Sequence, residues 1–176
     1  MRPLFTFSLM SILLLLSACS HQFPNSTQNP QGPSSHQRHA NSYPTGDISI
    51  TELKNHPKFF KHHQTKLDQK AVQALADIKQ PIEIISYFGL WCHDSQREIP
   101  QLLDLLAAAN NPNIQHHLIA LDLKKQEPKN RQQMDRVLYT PTIIVRLNNQ
   151  ELGRIVERPK QDLATDIVSF IEAASL

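Results

Sequence analysis

The run Ile82-Glu83-Ile84-Ile85-Ser86-Tyr87-Phe88 constrains the fold more than any other stretch. It is short, apolar and rich in β-branched residues, and it reads as a buried strand. Soon after it, Ile99, Leu102, Leu103 and Leu106 recur at i, i+3, i+4 and i+7, the apolar stripe of an amphipathic helix. Residues 114–123, IQHHLIALDL, supply a second strand. Such a strand–helix–strand unit is parallel, with a right-handed crossover.

The rest of the chain adds to this unit. Residues 129–138 predict a short helix with Met134, Val137 and Leu138 facing inward. Strands at 142–147 and 151–157 flank Asn148 and Asn149, and asparagine tolerates the left-handed backbone of a tight hairpin. Leu163, Ile167, Phe170 and Ile171 mark a terminal helix after Pro159. Upstream, Asp68 is placed to cap a helix carrying Val72, Leu75 and Ala76, which Pro81 ends. Residues 48–60 read as one or two short helices broken by Pro57, with Phe59 and Phe60 on the core. The order helix, β, α, β, α, β, β, α predicts a mixed four-stranded sheet with helices on both faces. With 40 % hydrophobic and 19 % charged residues, the chain can form a buried core. Its net charge of +2 argues for neither nucleic acid nor an anionic surface as partner.

The 176 residues suit one such domain with something appended. Residues 4–16, LFTFSLMSILLLL, form an apolar run behind Arg2. The run falls short of the roughly 20 residues of a spanning helix but fits a signal-peptide core. It ends in Leu16-Ser17-Ala18-Cys19, which resembles the bacterial lipoprotein signal. That resemblance implies cleavage after residue 18 and a diacylglyceryl group on Cys19. Two or three acyl chains would then hold the protein to a membrane, at roughly 0.8 kcal/mol per buried methylene. With Ser20 rather than aspartate next, the resemblance further implies the outer membrane, facing the periplasm, in a double-membraned bacterium. A cleaved signal with an incidental cysteine is the alternative.

Residues 19–46 then read as a disordered tether. From Ser20 to Gly46 they hold four prolines, five serines and four glutamines but no Leu, Ile or Val, too little apolar surface to offset the entropy of ordering. The segment would span roughly 30 Å on average. His21, His36 and His39 within it, and His62 and His63 beyond it, read as solvated side chains rather than ligands. Residues 47–176 form the folded domain.

Of the two cysteines, Cys92 alone lies in the folded part, in the stretch Leu90-Trp91-Cys92-His93-Asp94-Ser95-Gln96-Arg97-Glu98-Ile99-Pro100. If Cys19 carries lipid, no internal disulfide can form. Four features now resemble the thioredoxin-like superfamily. Trp91-Cys92-His93-Asp94-Ser95 stands where that family has W-C-x-x-C, between a buried strand and a helix. Pro100 lies eight residues after Cys92, where the family's helix carries a proline. Tyr139-Thr140-Pro141-Thr142 resembles the family's Thr-Pro segment, and Gly153–Pro159 its last strand. The resemblance implies a three-layer α/β sandwich, and it implies that Pro141 is cis and faces the active cysteine. Two positions depart from the pattern. Ser95 replaces the second cysteine, and Ser86 occupies the position of a buried acid six residues before Cys92.

A thiolate is the reactive form of cysteine, and a helix N-terminus favours it. The helix start is open between a position near Cys92 and one at Ser95, where Ser95 and Glu98 could form a capping box. Near Cys92, Ser95 could donate a hydrogen bond to the sulfur. Protonated His93 would favour the anion, and Asp94 would oppose it. A single thiol still attacks a disulfide to form a mixed disulfide, but a second thiol must then come from a substrate protein or a small molecule. Cys92 and Ser95 are the expected catalytic residues, and Trp91, His93, Asp94, Thr140 and Pro141 the expected substrate contacts. No cofactor is expected. No metal is expected either, since neighbours in a strand such as His116 and His117 point to opposite faces. The partners implied are protein thiols or disulfides, or a small thiol, with the protein itself a monomer. Two other readings stay open: a non-redox module binding an extended peptide beside Pro141, and a structural envelope lipoprotein.

Overall fold

The computed structural model describes residues 43–57, 59–60 and 67–174. The signal segment, Cys19, most of the tether, and His62 and His63 lie outside the described residues. In chain order the elements are β1 (Gly46–Asp47), α1 (Ile50–Lys54), α2 (Gln69–Ala76), β2 (Ile82–Phe88), α3 (His93–Ala109), β3 (Ile114–Ala120), α4 (Arg131–Met134), β4 (Thr142–Leu147), β5 (Gln150–Val156) and α5 (Leu163–Ala173).

The sheet runs β1-β3-β2-β4-β5. β2 pairs in parallel with β3, as the crossover requires, and antiparallel with β4. Both Asn148 and Asn149 adopt positive φ, 51° and 64°, so the β4–β5 hairpin closes through the left-handed pair expected of it. The sheet has five strands rather than the expected four. The additional one, β1, is two residues long and lies antiparallel at the edge beside β3. Two residues carry no periodicity, and Gly46 sits in a stretch whose composition is that of a tether.

Alternation along β2 divides the core. Ile82, Ile84 and Phe88 meet Leu75 of α2, Ile99 and Leu102 of α3, and Leu163, Ile167 and Ile171 of α5 on one face. On this face Phe170 lies so close to β5 that a Cβ on Gly153 would sit 2.4 Å from its ring, which leaves room only for glycine. Ile85 and Tyr87 face the other way, with Ile119, Leu121, Val137 and Ile144. α4 and the turn after it cover that side.

Helix ends follow local chemistry. Asp68 caps α2 by accepting from the Lys70 N–H at 2.9 Å, and Asp162 caps α5 through the Thr165 N–H. One expectation fails in the short helix. α4 stops at Met134 and Arg136 turns to φ 53°, so helical spacing does not extend to Leu138. Val137 is buried as expected, but Met134 and Leu138 are 72 % and 70 % exposed.

Candidate active site

Cys92 is the N-cap residue of α3, with extended backbone, and the helix proper begins at His93. The capping box at Ser95 and Glu98 does not form. Ser95 lies one turn inside, fully buried, and its Oγ accepts from the Gly89 N–H at 3.1 Å. Ser95 therefore ties the strand–helix turn together and is not directed at the sulfur. Pro100 falls inside α3, with its ring buried.

The turn between β2 and α3 is held tightly. Trp91 folds back over Gly89, where a Cβ would come within 2.6 Å of the indole, and its Nε1 donates to the Leu121 carbonyl at 3.2 Å. The Gln96 side chain donates to the Leu90 carbonyl. Cys92 and Trp91 remain partly exposed and His93 is exposed.

Opposite the thiol lies the segment before β4. The Thr140–Pro141 peptide is cis, as the resemblance implies. The Cys92 Sγ–H group donates to the Thr140 carbonyl at 3.1 Å, so residues 48 positions apart meet at the site. The Thr140 side chain is buried and Pro141 is buried. What this segment presents outward is Tyr139, 52 % exposed, and Leu138 before it. Two bonds brace it. The Thr142 hydroxyl donates to the Tyr139 carbonyl, and the Glu157 N–H to the Pro141 carbonyl, each at 2.8 Å.

Sequence reasoning weighed Asp94 as a charge opposing a thiolate. In the fold its carboxylate pairs with Arg97 at 2.6 Å, and the Arg158 guanidinium approaches to 4.0 Å. Neither arginine was singled out beforehand. The i, i+3 spacing of Asp94 and Arg97 was a usable signal; the approach of Arg158 from the end of β5 had none.

Ser86 is fully buried, and its Oγ is hydrogen-bonded to His116 Nε2 at 2.9 Å. Burial, and to a smaller extent the neighbouring His117, hold the His116 imidazole down at about 4, so it is neutral near pH 7. Where the resemblance puts a carboxylate under the site, this chain has a hydroxyl and a neutral ring.

A reachable sulfur at a helix N-terminus, facing a cis-proline segment across a mixed sheet of this order, defines the class of thioredoxin-fold proteins. A thioredoxin family model matches residues 54–169, and the chain belongs to that family. A search of curated proteins gave no match. Among solved structures, a protein of unknown function from Pseudomonas aeruginosa is similar at 20 % identity, with a TM-score of 0.50 over 72 % of this chain and 99 % of that one. A thioredoxin-like protein from Edwardsiella tarda is similar at 21 % identity, with a TM-score of 0.41 over 60 % of this chain and 93 % of that one.

Proposed function

We propose that this chain is a lipid-anchored thioredoxin-like protein of the cell envelope that performs thiol–disulfide exchange through Cys92 alone. The observation carrying this reading is the placement of Sγ: partly exposed, at the first turn of a 17-residue helix, and 3.1 Å from the Thr140 carbonyl. Unpaired backbone N–H groups at such a helix end favour an anion. The Leu16-Ser17-Ala18-Cys19 sequence supports the anchor, through lipid on Cys19, and Ser20 supports the outer membrane, facing the periplasm.

The reaction conserves electrons. The Cys92 thiolate attacks one sulfur of a substrate disulfide, the substrate S–S bond breaks, and the departing thiolate takes up a proton. A second thiol, from the same substrate or from a small molecule, then attacks the mixed disulfide. It forms a new disulfide and returns Cys92 to the thiol. Attack by a substrate's own thiol gives isomerisation with no net oxidation. In this scheme Trp91, His93 and the Thr140–Pro141 backbone contact the substrate. Ser95 acts by holding the turn rather than by touching the sulfur.

Acid-quenched cells expressing the chain test this directly, with mass spectrometry of whatever is joined to Cys92. Mixed disulfides that vanish in Cys92→Ser are the expected result. Only free thiol, in cells where a known exchange protein is trapped as its mixed disulfide, refutes the reading. A second reading, a peptide-binding module without redox turnover, is favoured by the exposed Leu138 and Tyr139 beside the cis peptide. It predicts peptide binding that Cys92→Ser leaves intact.

A further inference from the structure

We infer that Arg97 is the positioning residue of this site, tying the thiol-bearing helix to the Pro141 segment and offsetting the charge of Asp94 beside Cys92. The inference rests on the exchange reading above. One guanidinium reaches three acceptors: Asp94 Oδ1 at 2.6 Å, Glu98 Oε1 at 2.6 Å and the Glu157 carbonyl at 3.4 Å. The first two lie on α3, the helix that begins beside the thiol. The third lies in the turn after β5, and the N–H of that same residue donates to the Pro141 carbonyl. A continuous path therefore runs from α3 through Arg97 and Glu157 to Pro141, the residue after the carbonyl that meets the sulfur.

Glu157 holds this place with φ 62°, a conformation uncommon for a residue with a Cβ. It brings both backbone groups of one residue to bear, the N–H on Pro141 and the carbonyl on Arg97. Arg97 stays protonated. Its partial burial opposes the charge, but the bonds to Glu98 and Asp94 outweigh that and raise its pKa.

The elements that meet at the site carry the following charged and titratable groups. His93, Asp94, Arg97 and Glu98 lie on α3, Glu157 and Arg158 in the turn after β5, Tyr139 before Pro141, and Asp122 after β3. Asp94 lies in the first turn of α3, two residues along the chain from Cys92, and a nearby carboxylate disfavours a second anion. Arg97 is bound to it. Arg158 stands at 4.0 Å with its side chain 73 % exposed, and water screens it more. The Arg97–Asp94 pair is exposed and adds little to folding. Glu98 is buried, so R97Q also leaves a buried carboxylate without its cation and lowers the unfolding temperature, while R97K keeps a cation there. The thiol is compared where every variant is folded.

The test is the rate of Cys92 alkylation by iodoacetamide against pH, in the full chain and in R97Q, R97K and R97Q/D94N, with thermal unfolding of each as a check on folding. R97Q is expected to move the alkylation midpoint up by roughly half to one pH unit. R97K, which keeps the charge but not the fork, is expected to move it less. Removing the Asp94 carboxylate in R97Q/D94N is expected to return the midpoint close to that of the unsubstituted chain. An unchanged midpoint in R97Q, or a double variant that keeps the full shift, overturns the assignment. Absence of any alkylation in the unsubstituted folded chain would instead refute the exchange reading on which it rests.

Discussion

His116 and His117 are adjacent in β3 and sit in opposite worlds. His116 faces the helix-covered side, opposite Ile84 and bonded to Ser86, where burial keeps it neutral. His117 faces the other side, half-exposed and 3.3 Å from Glu83. The contrast holds for the two faces as wholes. The first is an apolar core packed by α1, α2, α3 and α5. The second buries six apolar side chains and finishes in a polar network centred on Asp135. Tyr87 donates to Asp135 Oδ2 at 2.7 Å, Arg146 binds its other oxygen, and Arg154 donates to its backbone carbonyl. Burial and the Asp135 carboxylate both raise the Tyr87 pKa, so the phenol stays a donor. The helix-covered face thus supplies stability through area, while the other uses directed bonds to hold α4 and the chain that leads to Pro141.

The comparison is broken most severely on the helix-covered face. Ile84 is fully buried between α3 and the sheet, and Ile84→Ala is expected to cost about 3–4 kcal/mol, read by denaturant unfolding. If it costs under 1 kcal/mol, the helix-covered face is not the main source of stability. Next comes Asp135→Ala on the opposite face. It leaves the Tyr87 hydroxyl and Arg146 without their acceptor, at an expected cost of about 2–3 kcal/mol. It should also change the Cys92 alkylation rate, because Asp135 holds the segment that runs to Pro141.

The histidine pair sharpens the contrast by pH. The folded-state pKa of His116 lies at about 4, below its ordinary value of 6.5, so between those values the unfolded chain binds the extra proton. Stability is full above pH 6.5 and is lost as pH falls toward 4. The expected loss is about 1–2 kcal/mol by about pH 5, read by denaturant unfolding. His116→Asn should flatten that part of the pH–stability curve, and a curve unchanged by the substitution refutes this account. The smallest effect is at the sheet edge. Asp47 binds Lys129 at 2.7 Å and Arg131 at 2.6 Å from an exposed position, and Arg131 first, then Lys129, hold its carboxyl down at about 2. Asp47→Asn is expected to cost under about 1 kcal/mol, with faster amide exchange in β1 as the visible sign.

Where patterns were long, the sequence was legible. β2, α3, β3, the hairpin and α5 all follow from apolar spacing or from Asn148 and Asn149. The site was half legible: motif resemblance brought Cys92 and Pro141 together across 48 residues, and the 3.1 Å contact realises it. The sequence offers Ser95 either as a donor to the sulfur or as a cap with Glu98; in the fold its hydroxyl instead accepts from the Gly89 amide. Met134 and Leu138 were read inward because a four-residue helix gives too few repeats to reveal where it stops.

The sequence by itself determined the order of the long strands and helices, the one thiol of the folded part and the class of fold, because periodicity and turn chemistry act over a few neighbouring residues. Only the tertiary structure decided what surrounds that thiol. The Thr140 carbonyl meets the sulfur, Arg97 joins Glu157 and Arg158 approaches Asp94, and His116 bonds Ser86. These contacts join residues 30 to 64 positions apart in the chain, and their geometry depends on how strands align and helices dock. No local pattern encodes that alignment.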